Sequence, residues 1–278
     1  MSKIDNLFSM KGKVVIITGG TGLLGLEYAK ILGSAGANIV LVDLDEIKCK
    51  KKAEELEKKF GNKMLGVKTD ISNKKQVKSM VKKVEKEFGK IDVLINNAAF
   101  NAPADNKGSN FVSFEDYPLE LWKKSIDVNL TGMFICSQEV IRLMIKEKVK
   151  GSIINISSIY GLVAPDQRIY SAITHPDDSS KKFVKPVDYS TTKSGVINFT
   201  RYLAAMYGRH SIRVNTLTPG GVWDNQDKNF VKEYSKKTVF GRMAEKTDYN
   251  GAILFLASDA SKYMTGANLI VDGGWTCW

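Results

Sequence analysis

Cysteine and histidine are scarce in this chain. Its 278 residues include three cysteines, Cys49, Cys136 and Cys277, which are far apart in sequence, and two isolated histidines. That spacing predicts neither a disulfide framework nor a zinc site, and we expect no bound metal. Because disulfide-free proteins with reduced thiols are the rule in the cytoplasm, we expect a cytoplasmic protein.

Long apolar runs are also missing. No apolar run reaches about 18 residues, the length that indicates a membrane span, so no membrane partner is expected. The stretch 1–13 has no apolar segment of the signal-peptide kind. Apolar residues make up 43% of the chain, as in soluble globular proteins. The length suits one α/β unit, and we expect a single domain over 1–278.

Arginine is rare although the chain is basic. The formal net charge is +11, but only six of the 41 basic residues are arginine and the rest are lysine. Many of these lysines alternate with glutamates in helix-like stretches such as 48–59 and 74–90. That pattern is typical of a solvated helix face. Aromatic residues do not interleave with the basic ones, so we expect no nucleic-acid partner.

Strand-like and helix-like segments alternate along the chain. This alternation predicts an α/β fold, a Rossmann-type doubly wound parallel sheet of about seven strands flanked by helices. The predicted strands are 14–18, 37–43, 63–69, 93–96, 151–157, 212–217 and 268–272. The predicted helices are 23–34, 46–60, 74–88, 119–146 (possibly interrupted), 187–207 and 248–257.

Two long irregular segments, near 100–118 and 162–186, follow predicted strands. In this fold ligands bind outside the carboxyl ends of the strands. We therefore expect these insertions to build an enlarged, polar substrate pocket. The second is rich in polar and charged residues, among them Arg168, Asp177, Asp178, Lys181 and Lys182.

A glycine-rich turn follows the first predicted strand and opens the first helix. Gly20-Thr-Gly22-Leu-Leu-Gly25 matches G-x-G-x-x-G in the context that makes the pattern indicative of a dinucleotide site. Glycines permit close backbone approach to a pyrophosphate, which lies on the helix N-terminus. The turn residues expected to bind the cofactor are Gly19, Thr21, Gly22, Leu24 and Gly25.

Asp43 at the end of the second predicted strand bears on the choice of cofactor. A carboxylate there can accept hydrogen bonds from the ribose hydroxyls of adenosine, and it would repel a 2′-phosphate. The sequence therefore predicts NAD, with NADP less favoured.

Tyr189, Lys193 and Ser158 form a candidate proton-transfer set. Tyr189 and Lys193 are four residues apart in a predicted helix, so they share one face. A tyrosine ordinarily has a pKa of about 10, and a nearby ammonium is expected to lower it by favouring the phenolate. A serine hydroxyl beside them can hold a carbonyl or alcohol oxygen.

Together with further motifs, these features resemble the short-chain dehydrogenase/reductase family. The resemblance runs from Val14 to Gly274 and belongs to the single-domain branch. The additional motifs are Thr69-Asp-Ile71, Asn96-Asn-Ala-Ala99, Asn129 in Val-Asn-Leu-Thr-Gly, Ile212-Arg-Val-Asn215, Pro219-Gly220 and Thr265 to Gly274.

The resemblance implies hydride transfer between a nicotinamide cofactor and an alcohol or ketone. It implies catalytic roles for Asn129, which would position a relay water, and for Ser158, Tyr189 and Lys193, with Tyr189 and Lys193 also contacting the cofactor. It further implies cofactor contacts from Asp70 and Ile71 at the adenine, Asn97 and Ala98 beneath the cofactor, and Pro219, Gly220 and Val222 near the nicotinamide. A homo-oligomer, dimer or tetramer, is implied as well, with 119–146 and the final tryptophans as candidate contacts.

Two departures from the family pattern qualify this picture. Leu23 stands where the single-domain branch usually has glycine, and the resulting spacing is typical of nucleotide-sugar epimerases and dehydratases, which carry a separate C-terminal substrate domain. The 85 residues after Lys193 are too few for that domain. Ser158 and Tyr189 are 31 residues apart, more than usual, and Tyr170 lies near the usual tyrosine position without a lysine four residues later. We therefore favour Tyr189.

The sequence-based hypothesis is an NAD-dependent oxidoreductase acting on a small polar molecule, a sugar derivative. The insertions and the tail from Met264 to Trp278 resemble, more weakly, bacterial members linked to surface-sugar and flagellin-glycan synthesis. A nucleotide-sugar epimerase or dehydratase, a ketoacyl-thioester reductase and a catalytically idle dinucleotide-binding protein stay open as alternatives.

Overall fold

The computed structural model of this chain describes residues 2–101 and 110–278. Part of the first predicted insertion, residues 102–109, therefore lies outside the described residues.

A seven-stranded parallel sheet runs through the molecule in the order β3-β2-β1-β4-β5-β8-β9. Two further strands, β6 and β7, pair antiparallel in a separate hairpin. This confirms the predicted fold class. The strands are β1 (Val14–Thr18), β2 (Asn38–Asp43), β3 (Met64–Lys68), β4 (Val93–Asn96), β5 (Ser152–Ile156), β6 (Thr174–His175), β7 (Asp178–Lys182), β8 (Arg213–Pro219) and β9 (Asn268–Val271).

Helices cover both faces of the sheet. Alternate residues of β1 point to opposite sides: Val14 and Ile16 pack into a hydrophobic cluster with α4, α6 and α7, whereas Val15 and Ile17 pack with α2, α3 and α9. The helices are α1 (Lys3–Phe8), α2 (Leu23–Ser34), α3 (Glu46–Phe60), α4 (Lys74–Phe88), α5 (Leu119–Ile126), α6 (Met133–Lys146), α7 (Val187–Tyr207), α8 (Lys228–Lys237) and α9 (Asn250–Ala257).

The predicted interruption of the long helix 119–146 is confirmed. A π-helix, Asp127–Gly132, joins α5 to α6, and such bulges are frequent at functional sites. By length and composition this stretch, at a mean hydropathy of 1.2, could cross a membrane, but 61% of its apolar window is buried inside the protein. It is therefore best described as a core helix of the fold.

Three elements were not expected from the sequence pattern: α1, α8 and the β6–β7 hairpin. The hairpin lies in the second insertion, and its strand Asp178-Ser-Ser-Lys-Lys182 has no apolar alternation that would have indicated it. Helix α8 does carry a start signal, since the Asp227 carboxylate caps it by accepting from the N–H groups of Asn229 and Phe230.

Candidate functional site

The candidate site lies at the carboxyl edge of the sheet. The strand order reverses between β1 and β4, and in doubly wound sheets ligands bind at this point. One cavity of about 480 Å³ extends from the glycine turn to the ends of β2 and β3. A second, of about 640 Å³, reaches from β5 to α7 and α8. The two share Leu24, Asn97 and Ala99 in their walls, so they form one extended cleft.

The glycine turn forms a cradle that side chains would fill. Gly19 has a left-handed backbone with φ of 61°, and a Cβ there would lie 2.9 Å from the Ala98 Cα. A Cβ on Gly25 would collide with the Gly19 carbonyl oxygen. Gly22 begins α2 without a side-chain cap, which leaves the first N–H groups of the helix to other partners.

Asn97 braces this turn from the end of β4. Its Nδ2 donates to the carbonyl oxygens of Thr18 and Gly19, at 3.0 Å and 3.1 Å. The Thr18 hydroxyl in turn accepts from the N–H groups of Asn97 and Ala98, at 3.0 Å and 3.1 Å. Asn97 and Ala98 thus fix the shape of the turn. Thr18, the last residue of β1, was not among the residues expected from the sequence to contact the cofactor.

Asp43 ties the end of β2 to the glycine turn. One carboxylate oxygen accepts from the Thr21 N–H at 3.1 Å and from the Thr21 hydroxyl at 2.7 Å. The other oxygen accepts from the Leu44 N–H at 2.9 Å. The carboxylate and the turn therefore line the 480 Å³ cavity together.

The end of β3 supplies the opposite wall of this cavity. Asp70 accepts from the Ser72 N–H and hydroxyl at 2.9 Å and 2.7 Å. Ile71 is buried and packs on the π-helix, where a Cβ at Gly132 would lie 2.7 Å from its Cγ1. Among the described residues, the buried Thr69 hydroxyl has no hydrogen-bond partner. A glycine cradle, an uncapped helix start and an orphaned hydroxyl in one cavity fit a dinucleotide.

Tyr189, Lys193 and Ser158 meet in the wall of the 640 Å³ cavity. The first two lie on the opening turns of α7, with the Lys193 Nζ 5.8 Å from the Tyr189 ring centroid. Lys193 Nζ donates to the Ile156 carbonyl oxygen at 2.8 Å. Ser158 follows β5, and its hydroxyl accepts from the Tyr160 N–H at 3.2 Å. The three residues singled out from the sequence are thus brought together.

Burial governs the ionisation of this pair. Desolvation lowers the pKa of Lys193 to about 8. It also raises the pKa of Tyr189 above its ordinary value, an effect that the nearby Ser158 hydroxyl opposes. The expectation that the lysine lowers the pKa of Tyr189 is therefore wrong for the contacts seen here. The physical reason is that the ammonium is directed at a backbone carbonyl and the phenol is removed from water.

Asn129 lies in the π-helix and its side chain is fully engaged. Its Nδ2 lies 2.9 Å from the Phe100 carbonyl oxygen, 3.1 Å from the Ser125 hydroxyl and 3.0 Å from the Thr192 hydroxyl. Its Oδ1 accepts from the Phe100 N–H at 2.6 Å. The side chain therefore clamps the segment after β4 to α5 and to the helix that carries Tyr189.

Pro219, Gly220 and Val222 continue the cleft from the end of β8. Pro219 and Gly220 line the larger cavity, as does Val222. A Cβ on Gly220 would lie 2.9 Å from the Asp272 Cα, and its carbonyl oxygen accepts from the Tyr249 hydroxyl at 3.0 Å. Close packing of the segment after β9 against this turn fixes its position.

Tyr170 also lines the larger cavity, but its neighbours are other aromatic residues. Its hydroxyl is 2.8 Å from that of Tyr160, and its ring stacks between Phe183 at 4.9 Å and Phe230 at 5.1 Å. Burial raises its pKa. The ring is thus part of an aromatic wall rather than the partner of a cation.

Apart from Thr174 and Lys185, the second insertion lines the cavity with apolar groups, contrary to our expectation of a polar lining. Its contributions to the wall are Tyr170, Ile173, Thr174, Pro176, Phe183 and Lys185. The residues expected there, Arg168, Asp177, Asp178, Lys181 and Lys182, do not line it, and all but Asp178 are exposed. Tyr170 and Phe183 pack into a small hydrophobic cluster with Tyr234 and Met243 from outside the insertion, and those charged residues of the insertion stay in water.

Lys185 is a site residue that the sequence reasoning missed. Its Nζ lies 4.3 Å from the Tyr189 ring centroid, closer than that of Lys193, and donates to the Asn101 Oδ1 at 2.8 Å. Its position just before Pro186 reads as an ordinary loop lysine, so no local pattern indicates it.

In the two described ranges, no group of three or more His, Cys, Asp or Glu side chains is arranged to hold a metal ion.

Comparison with known proteins accounts for this arrangement. Residues 13–173 match the family model described as short chain dehydrogenase, and residues 177–276 match the one described as Enoyl-(Acyl carrier protein) reductase. Two similar proteins are an NADH-dependent L-xylulose reductase from Ambrosiozyma monospora, 33% identical over 98% of this chain and 97% of that one, and an NADP-dependent mannitol dehydrogenase from Alternaria alternata, 32% identical over 99% and 96%.

A solved structure is similar throughout. The short chain dehydrogenase from Leptospira borgpetersenii with bound NAD+ has a TM-score of 0.84 and 34% identity over 99% of this chain and 96% of that one. The chain belongs to the short-chain dehydrogenase/reductase family, whose members are oxidoreductases that act on alcohols and ketones with a nicotinamide cofactor.

Proposed function

We propose that this chain is an NAD-dependent dehydrogenase that interconverts an alcohol and a ketone on a polyhydroxylated, sugar-alcohol-like substrate. One observation carries the proposal. Ser158, Tyr189 and Lys193 line the larger cavity, which adjoins the cradle of the glycine turn through shared walls. A dinucleotide bound at the glycine turn would therefore place its nicotinamide end next to these three side chains.

The chain's own residues would handle the proton. When bound, the nicotinamide cofactor supplies or accepts the hydride at the substrate carbon. Ser158 and Tyr189 would hold the substrate oxygen between their hydroxyls, and the Tyr189 hydroxyl would exchange the proton with that oxygen. Lys193 would contact the cofactor ribose from its place beside the Tyr189 ring. Asn129 would hold the segment after β4 against α7. It would also position a relay water, as the family resemblance implies.

The preference for NAD follows from Asp43. Its carboxylate faces the cavity at the end of β2, where an adenosine ribose would lie. Residues 19–25, which form the glycine turn, include no lysine or arginine that would offset this charge. Asp70, Ile71, Asn97 and Ala98 would contact the adenine and ribose side of the cofactor, and Pro219, Gly220 and Val222 the nicotinamide side.

A polyol-like substrate is supported by the polar groups of the cavity and by the relatives. Besides the hydroxyls of Ser158 and Tyr189, Asn101, Gln226 and Asp227 line the cavity. The mannitol dehydrogenase and the L-xylulose reductase act, by their names, on molecules of this kind. The apolar wall from the insertion would then exclude water from the reacting carbon. The weaker resemblance to surface-sugar enzymes stays a prediction.

The test is a screen for NADH formation with purified protein. Neutral hexitols and pentitols, long-chain hydroxyacyl thioesters, secondary steroid alcohols and nucleotide sugars are each offered with NAD and with NADP. We expect turnover on polyols with NAD. Best activity on an acyl thioester, or conversion of a nucleotide sugar without net NADH, would contradict the proposal in favour of a ketoacyl-thioester reductase or an epimerase. Tight cofactor binding with no turnover anywhere would favour an idle binding protein.

A further inference from the structure

We propose that Lys185 binds an anionic group, a carboxylate or a phosphate, on the polyhydroxylated substrate and so selects charged substrates over neutral ones. The inference rests on the proposed function, because it assigns the charge of the molecule that occupies the same cavity.

Position is the first support. Lys185 lines the cavity that Ser158 and Tyr189 also line, and its ammonium lies 4.3 Å from the centre of the Tyr189 ring. A substrate whose reacting oxygen meets the Tyr189 hydroxyl would extend its carbon chain past this ammonium. A charged group a few carbons from the reacting one would therefore come within reach of it.

The second support is that Lys185 has little to neutralise it. Its hydrogen bond goes to the uncharged Asn101 Oδ1, and no carboxylate of residues 2–101 or 110–278 forms an ion pair with it. Lys193 differs, because it is almost fully buried and donates to the Ile156 carbonyl oxygen. Lys185, rather than Lys193, is therefore the lysine placed to meet a substrate.

Two carboxylates nearby do not cancel this charge. Asp188 is fully buried and does not line the cavity; its field opposes the burial that lowers the pKa of Lys185 to about 8, so the side chain is mainly an ammonium at neutral pH. Asp227 does line the cavity, but it caps α8 through the N–H groups of Asn229 and Phe230. Asp188 thus favours the charged form of Lys185, and the Asp227 carboxylate is occupied in capping α8.

The third support is the apolar setting. Tyr170, Ile173 and Phe183 line the same wall. Placing an ammonium against such a surface costs solvation free energy, and a lysine in this position is stabilised when an anion pairs with it. A half-buried cation directed into a substrate cavity therefore indicates an anionic group on the ligand.

The experiment compares three probes of matched carbon skeleton: sorbitol, gluconate and sorbitol 6-phosphate. Each is assayed with NAD for the wild type, Lys185→Met, Lys185→Arg and the control Lys182→Met, an exposed lysine of the hairpin that does not line the cavity. NADH titration of each variant checks that the fold and the cofactor site are intact.

We expect the wild type to favour gluconate or sorbitol 6-phosphate over sorbitol in kcat/KM, and the better of the two identifies the anion. Lys185→Met should lower kcat/KM for the anionic probe by about ten- to a hundredfold through KM, the range of a lost hydrogen bond to a charged group. Sorbitol should change by less than about twofold, Lys185→Arg should restore much of the loss, and Lys182→Met should behave as the wild type.

Three results would overturn the inference. Sorbitol could be the best wild-type substrate, with Lys185→Met affecting all probes equally. Alternatively, Lys185→Met could lower kcat on every probe at constant KM. That result would indicate that Lys185 acts through Tyr189 rather than by binding the substrate. Absence of turnover on all probes and throughout the polyol screen, with NAD bound, would remove the proposed function and this inference with it, whereas turnover of neutral polyols alone removes only the inference.

Discussion

The individual side chains of the site act through a few short-range contacts. Tyr189 and Lys193 could be recognised from the sequence because they are four residues apart on one helix, and Ser158 because it directly follows a strand and matches the family pattern. Lys185 could not, because its contact with Tyr189 depends on how the hairpin segment returns to α7. The direction of the pKa shift of Tyr189 could not be predicted from the sequence either, because it depends on burial, which the sequence pattern does not give.

Asp43 yields a prediction at this scale. The wild type should bind NADH much more tightly than NADPH, because the carboxylate that accepts from Thr21 would repel a 2′-phosphate. Asp43→Asn should narrow the ratio of the two dissociation constants by roughly tenfold, which corresponds to about 1.4 kcal/mol. Fluorescence titration measures both. Glu46→Gln, at the exposed start of α3, is the matched control; tighter binding of NADPH by the wild type would contradict the prediction.

Strands and helices were predictable where a buried face imposed a period on the sequence. Helices α3, α4 and α7 begin and end where the sequence pattern predicts. Strands β1 and β4 also have the predicted bounds, but there the signal is a short continuous apolar run, buried at every position. The β6–β7 hairpin was not, because its residues are mostly exposed and carry no apolar alternation. The polar lining expected from this insertion was wrong for a related reason: sequence composition does not tell which side chains turn inward.

The hairpin yields the second prediction. Replacing 174–182 by a short glycine-serine turn should raise KM for the substrate several-fold, because Thr174 and Pro176 would leave the cavity wall. NAD affinity should not change, since the glycine turn lies at the other end of the cleft. Steady-state kinetics with NADH titration measures both effects.

A double substitution, Lys181→Ser with Lys182→Ser, alters exposed hairpin residues and is the control. An unchanged KM in the shortened chain would mean that the hairpin contributes nothing to substrate binding.

Across the whole molecule, the alternation of strands and helices predicted the parallel, doubly wound sheet that the structure has. Association between copies is less directly encoded. Exposed apolar side chains lie on α6 and α7, namely Phe134, Tyr202 and Met206, on β9 at Ile270 and at the C-terminal Trp278. Where exposed apolar side chains form a contiguous patch, they mark an interaction surface.

The third prediction is that the protein is a homo-oligomer, a dimer or a tetramer. Light scattering at micromolar concentration should give a multiple of the 30.8 kDa chain mass. Tyr202→Glu should reduce that mass, because a charge would be buried in the contact, whereas Lys236→Glu on the exposed face of α8 should not. A mass of one chain for the wild type would count against this prediction.

The most direct test of the account compares substitutions at Tyr189 and Tyr170, two of the tyrosines that line the larger cavity. Tyr189→Phe removes only the hydroxyl beside Ser158 and should lower kcat by about 10²- to 10⁴-fold, with NADH affinity within about twofold of the wild type. Tyr170→Phe removes the hydroxyl that meets Tyr160 and should keep most of the activity. A Tyr189→Phe enzyme that turns over normally, together with an inactive Tyr170→Phe enzyme, would contradict the assignment of the site.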